Sequence, residues 1–115
     1  MKKDDILKKA TEYVTGPRAE DYGDALENHE LIAEGWNIIM KKALNTHGYF
    51  TAMHVALMMD WLKTSRLLHK LTDEDGWVDK CGYSAIGDEC AHRIEERSSW
   101  VENRIKTLSE NEDHQ

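Results

Sequence analysis

Glu27 and Glu30 stand three residues apart in the acidic stretch "EDYGDALENHE", residues 20–30, which puts five carboxylates into eleven residues. On a helix that spacing places both side chains on one face, where they can share a cation. Asp75 and Asp79, four residues apart, repeat the arrangement further along the chain. Two such pairs on neighbouring helices offer the oxygen ligands that Mg²⁺ or Mn²⁺ takes, with positions left for water and a substrate phosphate. Without a cation, four acids facing one another would repel. Each pair also has a plainer reading, because acids near a helix start interact favourably with the helix dipole.

The opposite charge comes from Lys63, Arg66 and Lys70, which form a cationic stripe along one helix face. Arg66 offers a planar fork for phosphate oxygens and Lys63 a point charge. Surface salt bridges, with Asp60 one turn earlier, are the alternative for this stripe. Asn28, His29 and His54 can hydrogen-bond a base or a ribose. Tyr22, Trp77 and Tyr83 can stack on a nucleobase, a contact worth about 1–3 kcal/mol per base. No H-E-x-x-H, C-x-x-C, glycine-rich phosphate loop or G-x-S-x-G elbow is present.

These residues need helices to position them. The chain has 115 residues, one proline and seven glycines, which suits a single helical domain, residues 1–115. Apolar spacing predicts helices over 4–14, 24–45 and 51–71, and a fourth from a Thr72–Asp75 capping box to beyond Thr107, with a break near Gly82 or Gly87. Gly16 and Pro17 end the first helix. The third is apolar over much of its circumference, so it is expected in the middle. On the fourth, Ile94, Val101, Ile105 and Leu108 are spaced by seven, four and three, a heptad-like seam beside Trp100. The seam packs either on the chain's own core or on a second copy, and a homo-oligomer is the preferred expectation. The tail "ENEDHQ" is expected to fray.

Charge and composition exclude some roles. A net charge of −7 does not suit coating of extended nucleic acid. No apolar run approaches the roughly 20 residues that span a bilayer, and "MKKDDILKK" lacks the apolar core of a signal peptide. Cys81 and Cys90 lie more than a helical turn apart and are not expected to pair, so a reducing, cytoplasmic setting is the simple expectation.

The segments "YGDALENHELIAEGW", "HVALMMDWLKTSRLLHK" and "EDGWVDKCGYSAIGDE" resemble a bacteriophage and prophage family of small helical proteins over residues 17–90. More distantly the pattern is similar to the all-α NTP pyrophosphatases of the MazG and dimeric dUTPase type. That resemblance implies a four-helix MazG-like bundle with a long C-terminal helix over about 90–110, and Mg²⁺-dependent cleavage of a nucleoside triphosphate in the cytoplasm of a bacterial host. It also implies dimers or tetramers with sites between neighbouring chains. Glu27 and Glu30 fit the first acidic pair of those enzymes and Asp79 the last acid, followed by Tyr83. Lys63 and Arg66 fit the phosphate-holding basic positions. The remaining acid departs, since Gly76 stands three before Asp79 and Asp75 four before it. Two functions follow: a nucleotide pyrophosphohydrolase with Glu27, Glu30 and Asp79 as catalytic acids, or a non-catalytic sponge sequestering a cyclic or ADP-ribose-type signal of host defence. In the sponge no metal is required, and the acids would be paired with protein groups.

Overall fold

The computed structural model describes residues 1–17 and 23–113. Four helices carry the described chain: α1 (Lys3–Thr15), α2 (Ala25–His47), α3 (Ala52–His69) and α4 (Glu74–Asp113). No strand occurs among the described residues.

Local chemistry sets the helix ends. Asp24 caps α2, its carboxylate accepting the Glu27 N–H at 2.9 Å. Gly48 ends α2 in the left-handed region at φ 78°, where a side chain would be strained. Thr51 and His54 cap α3 reciprocally: the His54 N–H donates to Thr51 Oγ1 at 3.3 Å, and the Thr51 N–H to His54 Nδ1 at 3.0 Å. His54 Nδ1 is thereby engaged at the helix start. The expected capping box at Thr72 gives way to a helix that begins at Glu74, with the Asp73 carbonyl accepting from Trp77 N at 3.4 Å. The expected break near Gly82 or Gly87 is absent, and α4 runs unbroken for 40 residues. Gly87 is instead a point of close approach, since a Cβ there would lie 3.1 Å from the Ala56 Cβ of α3.

The third helix does take the middle position. α2 packs on one face of α3 and α4 on another, and α2 and α4 do not meet. α1 packs on none of the other three and buries none of its residues. One described chain thus forms a layer of three helices rather than a closed four-helix bundle.

Both contacts with α3 are antiparallel and close. On the α2 side, Gly35 admits Trp61: a Cβ at Gly35 would sit 2.0 Å from the indole ring. The Trp61 indole N–H donates to the Leu31 carbonyl at 3.0 Å, and the Trp36 indole N–H donates back to the Met58 carbonyl at 2.8 Å. Each helix therefore sends one tryptophan to the backbone of the other. On the α4 side, a Cβ at Gly76 would meet Leu67 at 2.8 Å. The buried apolar set is small, comprising Ile32, Ala43, Ala56 and Leu67.

Gly35→Ala should be the costlier of two substitutions at the α2–α3 contact, because the indole must move to admit the methyl. A loss of about 1–3 kcal/mol or more in urea unfolding is expected. Trp36→Phe keeps most of the ring and removes one hydrogen bond, so about 0.5–1.5 kcal/mol is expected. The reverse order would show that the indole hydrogen bonds, rather than the glycine gap, hold α2 in place.

Candidate functional site

The candidate residues fall on the α2 and α4 flanks of α3. At the C-terminal end of α3, a groove of about 300 Å³ is lined by Gly23, Asp24, Glu27, Asn28 and Leu31 from the α2 side and by Ser65, Leu68 and His69 from α3. Gly23, at φ 73°, lets the chain pass against the His69 ring, which a Cβ would approach to 2.8 Å. Asn28 is half-buried in this groove and Glu27 lies at its rim. Ser65 is buried and its hydroxyl donates to the Leu62 carbonyl at 2.7 Å.

Glu30 is exposed and does not line the groove. His29 is also exposed, and its Nδ1–H donates to the Ala25 carbonyl of its own helix at 2.6 Å. Tyr22 lies outside the described residues.

On the other flank, α4 meets α3 through charge. Lys63 Nζ lies 2.9 Å from Asp79 Oδ2, with the lysine side chain 17 % exposed. Lys80 Nζ lies 3.0 Å from Asp60 Oδ1 and also donates to the Thr64 hydroxyl. Arg66 is half-buried on α3. Asp75 is exposed in the first turn of α4, one turn before Asp79. The Trp77 indole N–H donates to the Leu71 carbonyl at 2.9 Å, closing the α3–α4 turn. Tyr83 is half-buried and lines a second groove of about 400 Å³ with Met53, Ala56, Leu57, Asp60 and Gly87.

The structure therefore brings Lys63 to Asp79 and keeps Glu27 near Asn28, but it separates the two acidic pairs. Glu27 and Glu30 belong to α2 and Asp75 and Asp79 to α4, and those helices do not touch. Among the described residues no three His, Cys, Asp or Glu side chains gather closely enough to hold a metal ion.

Several polar residues at these places were not singled out by spacing. Lys80, Thr64, Ser65 and His69 matter only once the antiparallel register is known. The short connection between α3 and α4 was the available signal, because it sets Lys63 and Thr64 opposite Asp79 and Lys80. Elsewhere, on the outer face of α4, the Asp88 carbonyl accepts from His92 Nδ1–H, and this bond with the nearby Asp88 carboxylate raises the His92 pKa. Cys81 and Cys90 are both free thiols.

No helix of the described chain is long and apolar enough to cross a membrane. No solved structure matches the chain. The "Gene 55 protein" of Mycobacterium phage L5 is 42% identical over 81 residues, which cover 70% of this chain and 49% of that protein. The chain thus spans about half the length of the curated relative it matches. Residues 5–91 match the family model described as "Domain of unknown function (DUF6378)". That match takes in α2, α3, the Lys63–Asp79 pair and the first part of α4, and the chain belongs to the DUF6378 family.

Proposed function

We propose that this protein binds a phosphorylated nucleotide, with Lys63 and Arg66 of α3 taking phosphate. The observation that carries the reading is the Lys63–Asp79 pair, a largely buried ammonium on the central helix held by a partly exposed carboxylate at 2.9 Å. A shielded charge on a core helix needs a partner, and a carboxylate that reaches solvent can give way to an incoming anion. Arg66, one turn on, adds the planar fork suited to phosphate oxygens. Asn28, Trp77 and Tyr83 supply polar and aromatic groups at the helix junctions on either side, with His29 and Tyr22 as further candidates for the nucleoside.

The resemblance to MazG-type pyrophosphatases supports hydrolysis as the activity, with Glu27, Glu30 and Asp79 as the acids and Asp75 as a fourth. Because α2 and α4 stand apart in one chain, the acids would have to be gathered by a second copy or by movement of α2. The sponge reading has one observation in its favour: Asp79 and Asp60 are both engaged by lysines of the protein itself. A nucleotide taken up without turnover would need no metal-bound acids.

Thermal unfolding should be followed with nucleoside mono-, di- and triphosphates and with cyclic and ADP-ribose-type nucleotides. Each is tested with Mg²⁺, with Mn²⁺ and with chelator, while pyrophosphate and phosphate release are assayed in parallel. A ligand at 100 times its Kd raises stability by about 2.7 kcal/mol, so binding is visible without turnover. Arg66→Ala should weaken the responding nucleotide about tenfold or more. Asp79→Asn should strengthen metal-free binding, because it releases Lys63 to the phosphate. Release of pyrophosphate selects the enzyme, and stabilisation without release selects the sponge. No shift with any nucleotide overturns the proposal and leaves the Lys63–Asp79 pair as a structural contact.

A further inference from the structure

The molecule measures 73 × 36 × 24 Å with a radius of gyration of 21.1 Å. A compact domain of this length would have a radius near 13 Å. Much of the excess is the distal half of α4. Gly87 faces Ala56, and Met53 shares a groove with Cys90 and Ile94, so α3 begins opposite residues 87–94. From Ile94 to Asp113 the helix extends for about 30 Å beyond its only described partner. Its apolar stripe does not stop there. At about 3.6 residues per turn, Ile94, Val101, Ile105 and Leu108 lie on the same side of α4 as Gly76, Lys80, Tyr83 and Gly87, the side that packs on α3. Ile105 is 62 % exposed and Leu108 52 %.

We propose that this face is covered by the same segment of a second copy, running antiparallel, so that each distal helix continues the line of the other copy's α3. The direction follows from what already occupies the face. α3 runs antiparallel to α4, and its N-terminal start lies where the uncovered stripe begins. A parallel partner on this stripe would carry its own α3 into the first copy's α3. An antiparallel partner ends where α3 starts. In the two-fold register Ile94 meets Glu112, Ser98 meets Leu108 and Val101 meets Ile105, about an axis at Asn103.

Charge agrees with that register. The helix end that arrives at the α3 start carries Glu112 on the seam side. It arrives at a groove of about 680 Å³ lined by Tyr49, Met53, Cys90, Arg93, Ile94 and Arg97. Neither Arg93 nor Arg97 has an ion-pair partner among the described residues. The first N–H groups of α3 open onto the same groove and favour a negative helix end. The axis sets Glu102 and Arg104 each beside its own copy, on opposite rims, where both side chains are free to turn into solvent. The assembly is independent of the nucleotide reading, since none of these residues belongs to the Lys63–Asp79 site.

The test is covalent trapping together with sedimentation of the full chain. In a Cys81→Ser, Cys90→Ser background, Ser98→Cys with Leu108→Cys should form a disulfide-linked dimer on oxidation, and Ser98→Cys alone should not. The wild type should sediment at twice its 13.3 kDa mass. Val101→Asp with Ile105→Asp should return it to a monomer of unchanged helicity, because both positions are exposed in the single chain. Arg93→Glu with Arg97→Glu should weaken the dimer about tenfold or more, and adding Glu112→Arg should restore part of the loss. A wild type that stays at 13.3 kDa, cross-linking through Ser98→Cys alone, or an assembly that survives the paired aspartates would each overturn the proposal.

Discussion

The structure depends on α3 being packed on two different faces by helices that do not meet each other. Everything on the α2 side rests on one gap: Gly35 has no side chain, so Trp61 can lie flat against the α2 backbone and reach the Leu31 carbonyl. Trp36 makes the reciprocal bond to Met58. On the α4 side the gap is at Gly76, filled by Leu67. Small residues therefore set the helix separations, and large ones lock the registers. The arrangement leaves few side chains fully buried. A chain so thin in core depends on close contact along α3.

Charge is distributed according to the same geometry. The α2–α3 contact is aromatic and apolar, with its acids at one end beside Asn28. The α3–α4 contact is crossed by two ion pairs, Lys63–Asp79 and Lys80–Asp60. Paired charges inside a helix contact give little net stability compared with apolar residues of the same size. They join α3 to α4 at matched positions of the antiparallel register. The acidic stretch around residues 20–30 has a different role in the single chain. Asp24 caps α2, Glu27 lies in its first turn, and Glu30 points to solvent.

Helix identities and their order were legible in the sequence, because apolar periodicity and capping residues act locally. Thr51, Gly48 and Asp24 mark helix ends through bonds that span only a few residues. The glycines of α4 misled for the same reason. Gly82 and Gly87 are poor helix formers in isolation, yet the packing of α4 on α3 overrides a propensity cost of about 1 kcal/mol each. At Gly87 the missing side chain is what allows Ala56 to approach. The cationic stripe was also legible, but its partners were not, since a partner across a helix contact depends on a register that local spacing does not encode.

The sequence by itself determined that the chain is helical, that its third helix is central, and which residues carry the charge and the aromatic rings. These follow from composition, periodicity and capping, which are properties of short segments. Tertiary structure alone decided which charges meet. It joined Lys63 to Asp79, committed His54 to the α3 cap, and placed the two acidic pairs on helices that do not touch. The physical reason is that i,i+3 and i,i+4 spacing aligns groups along one helix, whereas convergence between helices requires the rotation and separation of whole elements. In this protein those are set by Gly35 and Gly76 and by Trp61 and Leu67, which close on them.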